Sequence, residues 1–558
     1  MAYRTSTITL LVLLLWCTAS VHGVKLRDRV VWEPRLAGDF PAAAGIATTE
    51  RSSVQEKVAR TIAFVKKTMK SYAAPGIALS VVYANETVLA QGFGVTGYGN
   101  PNAAVTPHSL FQVGSLSKTF IAVAIAHLVD NGRLNWLDPV QRHLTWFQLA
   151  DSYATKFTTL ADLAAMNSVL GGHEGDDVIG VGVYATEKDL VRALRHFNTT
   201  RQIRPGYAYS NLNFEILGQV VEGVTGQPWH EYLKTTIWEP LGMHDTVGRA
   251  LDSRDPNVLS GGHFFCNGTV LGPYSLLNST MIMIRPGDHY IAAGSILSSP
   301  SDLAKFSAFL LRKGAGIFRS SAAISDLITG HNVVPMPPEV ATFSGYEFHP
   351  DGNAVTAGYG FDTVGDMMYG QHYMDKGGDT FAFHTRNGWL PSLGLGVILV
   401  ANAQSFSGRL SDIATLDLMR TYIVGIFLDI STETLDRQFH ESLAKVDALF
   451  PPSPCDAHYY GGIPWDIPGV DIPHATKEAL VGTYRAVNSP EYYGPLVVTL
   501  HGADLWMQYG VYKRRLVASR DPTMLTWTLE MGDFTATVQV ALGTRPRIMY
   551  SSIEFVHN

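Results

Sequence analysis

The chain contains few cysteines and few charged residues for its length. Its 3 cysteines among 558 residues exclude a small fold stapled by several disulfides. Charged residues make up 16% of the sequence and hydrophobic residues 46%, which is typical of a compact protein and not of a disordered one. A length of 558 residues also predicts more than one domain.

Basic clusters and metal-binding patterns are lacking as well. The net charge is −7 and no dense basic patch occurs, so the sequence does not fit a nucleic-acid-binding protein. The histidines are scattered without the paired spacing of a zinc site. We therefore expect no metal and no other cofactor.

The one long apolar run lies at the N-terminus. Arg4 precedes an apolar stretch over residues 8–17, and small residues follow at 19–23. This pattern predicts a cleaved signal peptide over residues 1–23 and a secreted, extracellular protein. An uncleaved anchor is the alternative, but a run of about ten residues is too short to span a bilayer, so we expect no stable membrane insertion.

Two further features agree with export. Cys17 would leave with the signal peptide, and Cys266 and Cys455 could then form a disulfide in an oxidising compartment. Sequence positions alone do not establish that these two cysteines pair. Candidate N-glycosylation triplets of the type Asn-x-Ser/Thr begin at Asn85, Asn198, Asn267 and Asn278.

Hydrophobic periodicity predicts helices between an N-terminal hairpin and a late strand. After an extension at 24–52, the predicted helices cover residues 54–69, 115–132, 159–166, 213–224, 301–311 and 413–427. The predicted strands cover residues 77–82, 87–93 and 393–400. This order predicts one sheet made from both ends of a domain with helices packed on it, and hence a mixed α/β (α+β) fold.

The composition changes after residue 430. Proline clusters at 451–454 and 463–468 mark a linker. Beyond it, alternating apolar residues predict short antiparallel strands at 496–500, 505–509, 526–530 and 535–540. The predicted organisation is a main domain over residues 53–430, a helix and Pro-rich linker over 431–475, and a small all-β domain over 476–558.

A Ser-x-x-Lys motif is the most informative pattern in the chain. In a helix that begins near Ser115, the amine of Lys118 lies one turn on, next to the serine hydroxyl. A serine with an amine beside it can become a nucleophile at neutral pH. Because Gly114 precedes the serine and a helix follows it, free backbone N–H groups could hold an oxyanion there. The motif recurs at 442–445, which we interpret as the solvated face of a polar helix.

Later residues supply the proton-transfer and positioning groups that such a nucleophile needs. Tyr209 precedes the helix predicted at 213–224, and a tyrosine beside cationic lysines could act as a base. Asn211 could donate to a substrate carbonyl and steady Lys118.

A Lys-Gly-Gly stretch completes the pattern. Lys376 could supply positive charge, and Gly377 and Gly378 would let a substrate lie along the strand edge. Two similar stretches are interpreted as decoys. Residues 83–85 fit Tyr-x-Asn but occupy a hairpin turn, and residues 173–175 imitate a His-x-Gly element but precede Tyr209.

With these motifs in this order, the chain resembles the superfamily of serine β-lactamases and penicillin-binding proteins, in its class C-like branch of serine hydrolases. The resemblance covers residues 53–430 and includes flanking stretches at 74–78, 138–140, 240–243 and 299–304. It implies an antiparallel sheet flanked by helices, together with a helical subdomain. The C-terminal β-domain resembles the small lipocalin-like domain appended to some such hydrolases.

The resemblance also implies a role for each motif residue. Ser115 would be the acylated nucleophile, Lys118 its proton partner and Tyr209 the acid and base. The oxyanion hole would be the backbone N–H groups of Ser115 and Asp379.

Two further residues would serve substrate binding. Asn211 would position the substrate, and Lys376 would be the electrostatic anchor. The family's Lys-Thr-Gly reads Lys-Gly-Gly here, so Gly377 lacks a hydroxyl that helps to bind a substrate carboxylate. This departure argues against efficient β-lactam or D-Ala-D-Ala chemistry.

The leading prediction is a secreted serine hydrolase that acts through a Ser115 acyl-enzyme on esters or amides. Esterase, D-amino-acid peptidase or amidase, and weak β-lactamase activity all fit, with a small-molecule or peptide substrate as the partner. An acyltransferase using the same intermediate and a catalytically silent binding protein are the alternatives, and the oligomeric state stays open. The Pro- and aromatic-rich segment 333–355 is either an extra wall of the cleft or a decorated loop.

Overall fold

The computed structural model describes most of the chain beyond its N-terminal segment. The described residues are 52–199, 201–266, 269–277, 289–347, 354–405, 410–451, 471–518, 524–527, 536–541 and 546–558. The predicted signal peptide, Cys455, Asn267 and Asn278 lie outside them, so export, the disulfide and these glycosylation sites stay predictions. Within the described part, no helix has the length and apolar character needed to cross a bilayer.

Among the described residues, a nine-stranded antiparallel sheet and two smaller sheets organise the first part of the chain. The strands are β1 (Gly76–Tyr83), β2 (Glu86–Gly94), β3 (Phe111–Gln112), β4 (Gly262–Cys266), β5 (Thr269–Tyr274), β6 (Leu297–Ser298), β7 (Asn332–Val333), β8 (Thr356–Ala357), β9 (Thr363–Met368), β10 (Gln371–Asp375), β11 (Gly378–Asp379), β12 (His384–Leu390), β13 (Leu395–Ala401) and β14 (Ala403–Gln404). Across the main sheet the order is β2-β1-β13-β12-β10-β9-β8-β7, and β11 pairs with β12. The neighbouring strands β1 and β13 come from opposite ends of this part of the chain, as predicted.

Helices cover this sheet and build a separate helical region. They are α1 (Val54–Thr68), α2 (Ser117–Asp130), α3 (Val140–His143), α4 (Ser152–Phe157), α5 (Leu160–Ala164), α6 (Asp177–Val181), α7 (Glu187–Ala193), α8 (Asn211–Thr225), α9 (Trp229–Leu233), α10 (Pro300–Leu311), α11 (Ala322–Leu327), α12 (Pro338–Ser344), α13 (Leu410–Phe427), α14 (Thr432–Leu449), α15 (His474–Leu480) and α16 (Pro490–Tyr493). The predicted mixed fold, with an antiparallel sheet flanked by helices, is confirmed.

Strand β1 shows why the sheet is apolar on both faces. Its side chains alternate between the faces, so Ala78 and Val82 join the cluster that contains α2, whereas Ile77 and Leu79 join the cluster that contains α1 and α13. Because both faces are covered, the strand reads as a continuous apolar run. Its turn into β2 uses two residues with positive φ, 51° at Ala84 and 65° at Asn85.

The last part of the chain forms a closed antiparallel barrel. Its strands are β15 (Gly482–Ala486), β16 (Pro495–His501), β17 (Asp504–Tyr509), β18 (Tyr512–Ala518), β19 (Met524–Trp527), β20 (Ala536–Ala541), β21 (Arg547–Tyr550) and β22 (Ile553–His557). Four of these strands lie where the alternation predicts strands, and the other four were not predicted. The barrel is filled by side chains, because Tyr484, Met507, Tyr509, Trp527 and Phe555 are fully buried.

Some predicted boundaries are corrected. The strand predicted at 393–400 begins at Leu395, because Pro391–Leu393 form a 3-10 turn and Gly394 has a φ of 55°. Within segment 333–355, helix α12 packs against α13 and α14 with Ala341 and Phe343 buried. That part of the segment is therefore packed structure and not a decorated loop, and its role as a cleft wall stays a prediction.

His263 in β4 makes the stability of this fold depend on pH. Its Nε2 accepts from the backbone N–H of Tyr98 at 3.0 Å and its Nδ1 lies 2.8 Å from the carbonyl oxygen of Asn402, so the ring fits its site as a neutral imidazole. Burial lowers the pKa of His263 from 6.5 to about 4. The unfolded chain therefore binds a proton between these two pH values that the folded chain does not.

We expect the free energy of unfolding to fall as the pH is lowered from about 6.5 towards 4, by up to about 3 kcal/mol from this residue. The measurement is urea unfolding of the wild type and of His263→Gln across this range. The variant should be less stable at pH 7, and the difference should shrink at pH 4. If the free energies of unfolding of the two proteins differed by the same amount at every pH, the pH dependence would not come from His263.

Candidate active site

Ser115 lies in a tight 3-10 turn, Gly114–Leu116, that leads into α2. Gly114 has a φ of 54°, and a Cβ on it would lie 2.8 Å from the backbone nitrogen of Asp379. A Cβ on Gly378 would lie 2.1 Å from the carbonyl oxygen of Val113 and 2.9 Å from the nitrogen of Ser115. Glycines at both positions therefore let strand β11 approach the serine turn closely, which brings together the two predicted oxyanion donors.

The Ser115 hydroxyl has two polar partners at hydrogen-bond distance. The Nζ of Lys118 lies 2.9 Å from Ser115 Oγ, and the hydroxyl of Tyr209 lies 2.8 Å from the same atom. Lys118 is fully buried and Tyr209 nearly so. The fold therefore brings Tyr209 next to Ser115 and Lys118, which are one helical turn apart.

The other contacts of Lys118 use two of the hydrogens on its amine. Its Nζ donates to Asn211 Oδ1 at 2.7 Å and to the carbonyl oxygen of Ala293 at 2.8 Å, and neither oxygen can donate in return. Burial lowers the pKa of Lys118 well below 10.5, and the charge of Lys376 lowers it further. The amine is thus biased towards its neutral form, with a lone pair left for Ser115.

Lys376 lies at the end of β10 and is buried in an ion pair. Its Nζ is 2.6 Å from Asp362 Oδ2, and both side chains are at most 5% exposed. The same ammonium donates to the hydroxyl of Tyr209 at 3.2 Å. Asn387 Oδ1 accepts from the backbone N–H of Lys376 at 2.9 Å and so fixes the lysine between β10 and β11. Asp362 was not predicted, because it lies on a turn outside any motif.

Asn211 is held from its far side by a segment that we interpreted as a decoy. Its Nδ2 donates to Asp176 Oδ2 at 2.6 Å, and His173 Nδ1 contacts the same carboxylate oxygen at 2.6 Å. The ring of His173 stacks on that of Tyr209 with centroids 5.0 Å apart. Residues 173–175 do not replace the Lys-Gly-Gly element. Because we interpreted them as a decoy, we did not predict that His173 and the following Asp176 border the site.

A pair of carboxyl groups, the buried Glu215 and the half-buried Glu187, fixes the carbonyl group that faces Lys118. Glu187 Oε1 accepts from the N–H of Ala292 at 2.7 Å, and Glu215 Oε1 accepts from the N–H of Ala293 at 3.0 Å. Burial raises the pKa of both carboxyl groups, and the negative charge of Glu215 raises that of Glu187 further. Sequence gave no signal for this pair, because α7 and α8 place the two residues together only in the folded chain.

The side chain of Asp379 fixes strand β11 through its contacts with neighbouring charged and polar groups. The guanidinium of Arg386 lies 3.2 Å from Asp379 Oδ2, and its Nε donates to both carboxylate oxygens of Asp417 at 2.8 Å. His384 Nδ1 and Gln404 Nε2 also contact Asp379 Oδ1. Burial alone would raise the pKa of Asp379, but Arg386 and His384 lower it well below its usual range. A fully ionised, clamped Asp379 holds its own backbone N–H in place.

The remaining sequence candidates lie away from this cluster. Residues 442–445 lie on α14, where Lys445 is exposed, as the interpretation of a solvated helix face requires. Asn85 is half-buried in the β1–β2 turn and Asn198 is exposed. Cys266 is the last residue of β4. Among the residues that the structure describes, no group of three His, Cys, Asp or Glu is arranged to hold a metal ion.

Comparison with protein families places these residues in a known context. A family model described as Beta-lactamase matches residues 61–418, which include every motif residue of the cluster. The chain is 26% identical over 409 residues to an unguisins hydrolase from Aspergillus campestris, across 70% of this chain and 71% of that protein. It is 28% identical over 268 residues to a putative penicillin-binding protein, PbpX, from Bacillus subtilis, across 47% of this chain and 62% of that protein.

Solved structures share the fold. The octameric penicillin-binding protein homologue from Pyrococcus abyssi matches with a TM-score of 0.52 at 18% identity, over 89% of this chain and 99% of that one. The D-amino acid amidase from Ochrobactrum anthropi matches with a TM-score of 0.52 at 19% identity, over 68% of this chain and 99% of that one. At these identities the likeness is one of fold.

Proposed function

The chain belongs to the beta-lactamase family, and from that membership we propose that it is a serine hydrolase acting through an acyl-enzyme on Ser115. One observation carries the proposal: Ser115 Oγ lies 2.9 Å from the amine of Lys118 and 2.8 Å from the hydroxyl of Tyr209. The Ser115 hydroxyl can give its proton to the amine of Lys118, and the phenol of Tyr209 can pass a proton to the leaving group.

Acylation begins with the neutral amine of Lys118. The amine takes the Ser115 proton while Oγ attacks the substrate carbonyl carbon, and the backbone N–H groups of Ser115 and Asp379 stabilise the resulting oxyanion. Tyr209 then gives its proton to the leaving alcohol or amine. The ammonium of Lys376, 3.2 Å from the tyrosine oxygen, stabilises the phenolate that remains.

Deacylation restores the starting protonation states. The Tyr209 phenolate takes a proton from water, and the resulting hydroxide attacks the acyl carbonyl carbon. Ser115 Oγ leaves and recovers its proton from Lys118. The net reaction is cleavage of an ester or amide by one water molecule, with no proton gained or lost by the protein.

The charges around the site favour substrates without a carboxylate next to the scissile bond. Lys376 is already neutralised by Asp362, and Arg386 is neutralised by Asp379 and Asp417. Gly377 offers no hydroxyl at the position where the family carries threonine. A protein similar to this chain is named an unguisins hydrolase, which supports hydrolysis as the reaction. From the charges of the site we expect neutral esters and amides as substrates, in preference to β-lactams.

A matched pair of substrates tests this substrate class. We expect the wild type to hydrolyse a neutral chromogenic ester faster than its counterpart with a free carboxylate. Asp362→Asn should shift the ratio of the two kcat/KM values towards the carboxylate by about tenfold, because the charge of Lys376 is then left for the substrate. The ratio cancels any change in Lys118 that affects both substrates equally.

The possible results separate the two parts of the proposal. A wild type that prefers the carboxylate, or a ratio that Asp362→Asn leaves unchanged, would contradict the proposed substrate class. Absence of turnover on every ester and amide in a panel of both types would contradict hydrolysis itself.

A further inference from the structure

The barrel contacts a short segment, residues 171–177, that also contacts the catalytic cluster. The hydroxyl of Tyr492, on α16 between β15 and β16, donates to the carbonyl oxygen of Gly175 at 2.9 Å. Tyr492 is fully buried, and a Cβ on Gly175 would lie 3.0 Å from its hydroxyl oxygen. The contact is therefore close and shielded from water.

Consecutive residues of the segment face different partners. Asp176 faces the catalytic cluster and binds Asn211 at 2.6 Å, and Asn211 in turn accepts from Lys118 at 2.7 Å. Asp177 faces the barrel: burial raises the pKa of its carboxyl to about 6, and the nearby barrel residue Ser551 lowers it. The barrel thus contacts the residues on both sides of Asp176.

The segment has little regular structure to fix its shape. Gly172, His173 and Gly175 have positive φ values of 65°, 59° and 84°, and the segment pairs with no strand. A backbone in this region is sparsely populated for histidine and persists only where its surroundings hold it. His173 inside the segment contacts Asp176, and contacts from outside the segment hold the backbone that carries both residues.

We propose that the barrel contributes to catalysis, and that its Tyr492 is a positioning residue for the active site. Tyr492 holds Gly175, which sets Asp176, and Asp176 orients Asn211 against Lys118. The inference rests on the proposed serine hydrolase function. It assigns the C-terminal barrel a role in turnover beyond adding buried area.

The same interface offers a matched control. The hydroxyl of Tyr184 donates to the backbone oxygen of Tyr492 at 2.5 Å and so joins the barrel to the helical region without touching Gly175. Tyr492→Phe and Tyr184→Phe each remove one hydroxyl from this interface. Only the first removes the hydrogen bond to the segment at the active site.

The experiment compares kcat, KM and the pH profile of the two variants with the wild type on one ester substrate. We expect Tyr492→Phe to lower kcat at least tenfold with little change in KM, and Tyr184→Phe to leave kcat within twofold. The rising limb of the Tyr492→Phe profile should move to lower pH, because the charge of Asp176 raises the pKa of Lys118 and that charge is no longer held in place. Thermal unfolding reports the stability of both variants.

A double-mutant cycle gives a second readout. Asp176→Asn should lower kcat, and combining it with Tyr492→Phe should lower kcat no further, because both act through one chain of contacts. If Tyr492→Phe does not fold, Ser551→Ala replaces it and the same loss of kcat is expected.

The inference would be overturned by a Tyr492→Phe protein whose kcat and pH limb match those of the wild type, or by additive effects in the cycle. Failure of the hydrolase proposal looks different. In that case a serine-directed probe would not label Ser115 in the wild type at all.

Discussion

Replacing Ser115 by alanine is expected to lower kcat/KM for ester hydrolysis by roughly 10⁴-fold or more. The alanine removes the only atom that the proposed mechanism acylates, while the cluster around it stays in place. Lys118 keeps Asn211 and Ala293 as partners, so the fold should survive. Initial rates on a chromogenic ester, together with circular dichroism of the variant, provide the measurement.

The second Ser-x-x-Lys copy supplies the control for that variant. Ser442 lies half-buried on α14, far in sequence from the cluster. Ser442→Ala should leave kcat/KM unchanged. A Ser115→Ala protein that retains more than about a hundredth of wild-type activity would show that another group carries the reaction.

Replacing Lys118 by methionine is expected to lower the acylation rate by about 10²- to 10⁴-fold, the usual contribution of a positioned general base. Methionine fills similar space but has no lone pair on nitrogen for the Ser115 proton. The expected loss lies in kcat and not in KM, because Lys118 is fully buried behind the serine. Single-turnover kinetics on an activated ester measure acylation directly.

The pH profile separates this role from a structural one. In the wild type the acylation rate should rise with pH until Lys118 is neutral, and the limb should lie well below the ordinary lysine pKa because burial and Lys376 lower it. Lys118→Met should lose that limb. Lys57, a second buried lysine paired with Asp429 at 2.8 Å, gives the control: Lys57→Met should lower stability and leave the limb unchanged.

The parts of this molecule that sequence predicts are the local ones. Ser115 and Lys118 are one helical turn apart, so a motif and an apolar helix suffice to place them together. The β1–β2 hairpin and the long helices follow from periodicity in the same way. The short strands β7 to β10 and half of the barrel strands were not predicted, because strands of two to seven residues among glycines carry little periodic signal.

The residues that sequence missed act across long separations. Asp362, Asp176 and Glu215 each hold a neighbour of the catalytic residues, from a loop or helix whose own sequence carries no motif. The hydrogen bond between Lys118 and Ala293 joins positions 175 residues apart. Such contacts depend on how the helical region folds over the sheet, and no motif encodes that geometry. His173 illustrates the point, since its sequence context suggested a decoy and only the fold places it on Tyr209.

The central claim is that Ser115 becomes covalently acylated, and mass spectrometry of the trapped protein tests it most directly. The wild type would be mixed with a fluorophosphonate probe or with an activated ester under acid quench, and its intact mass and peptide map recorded. We predict one adduct per chain, located on Ser115, and none on Ser115→Ala. An adduct at any other residue, or an unlabelled Ser115 in folded protein that hydrolyses the ester, would contradict the claim.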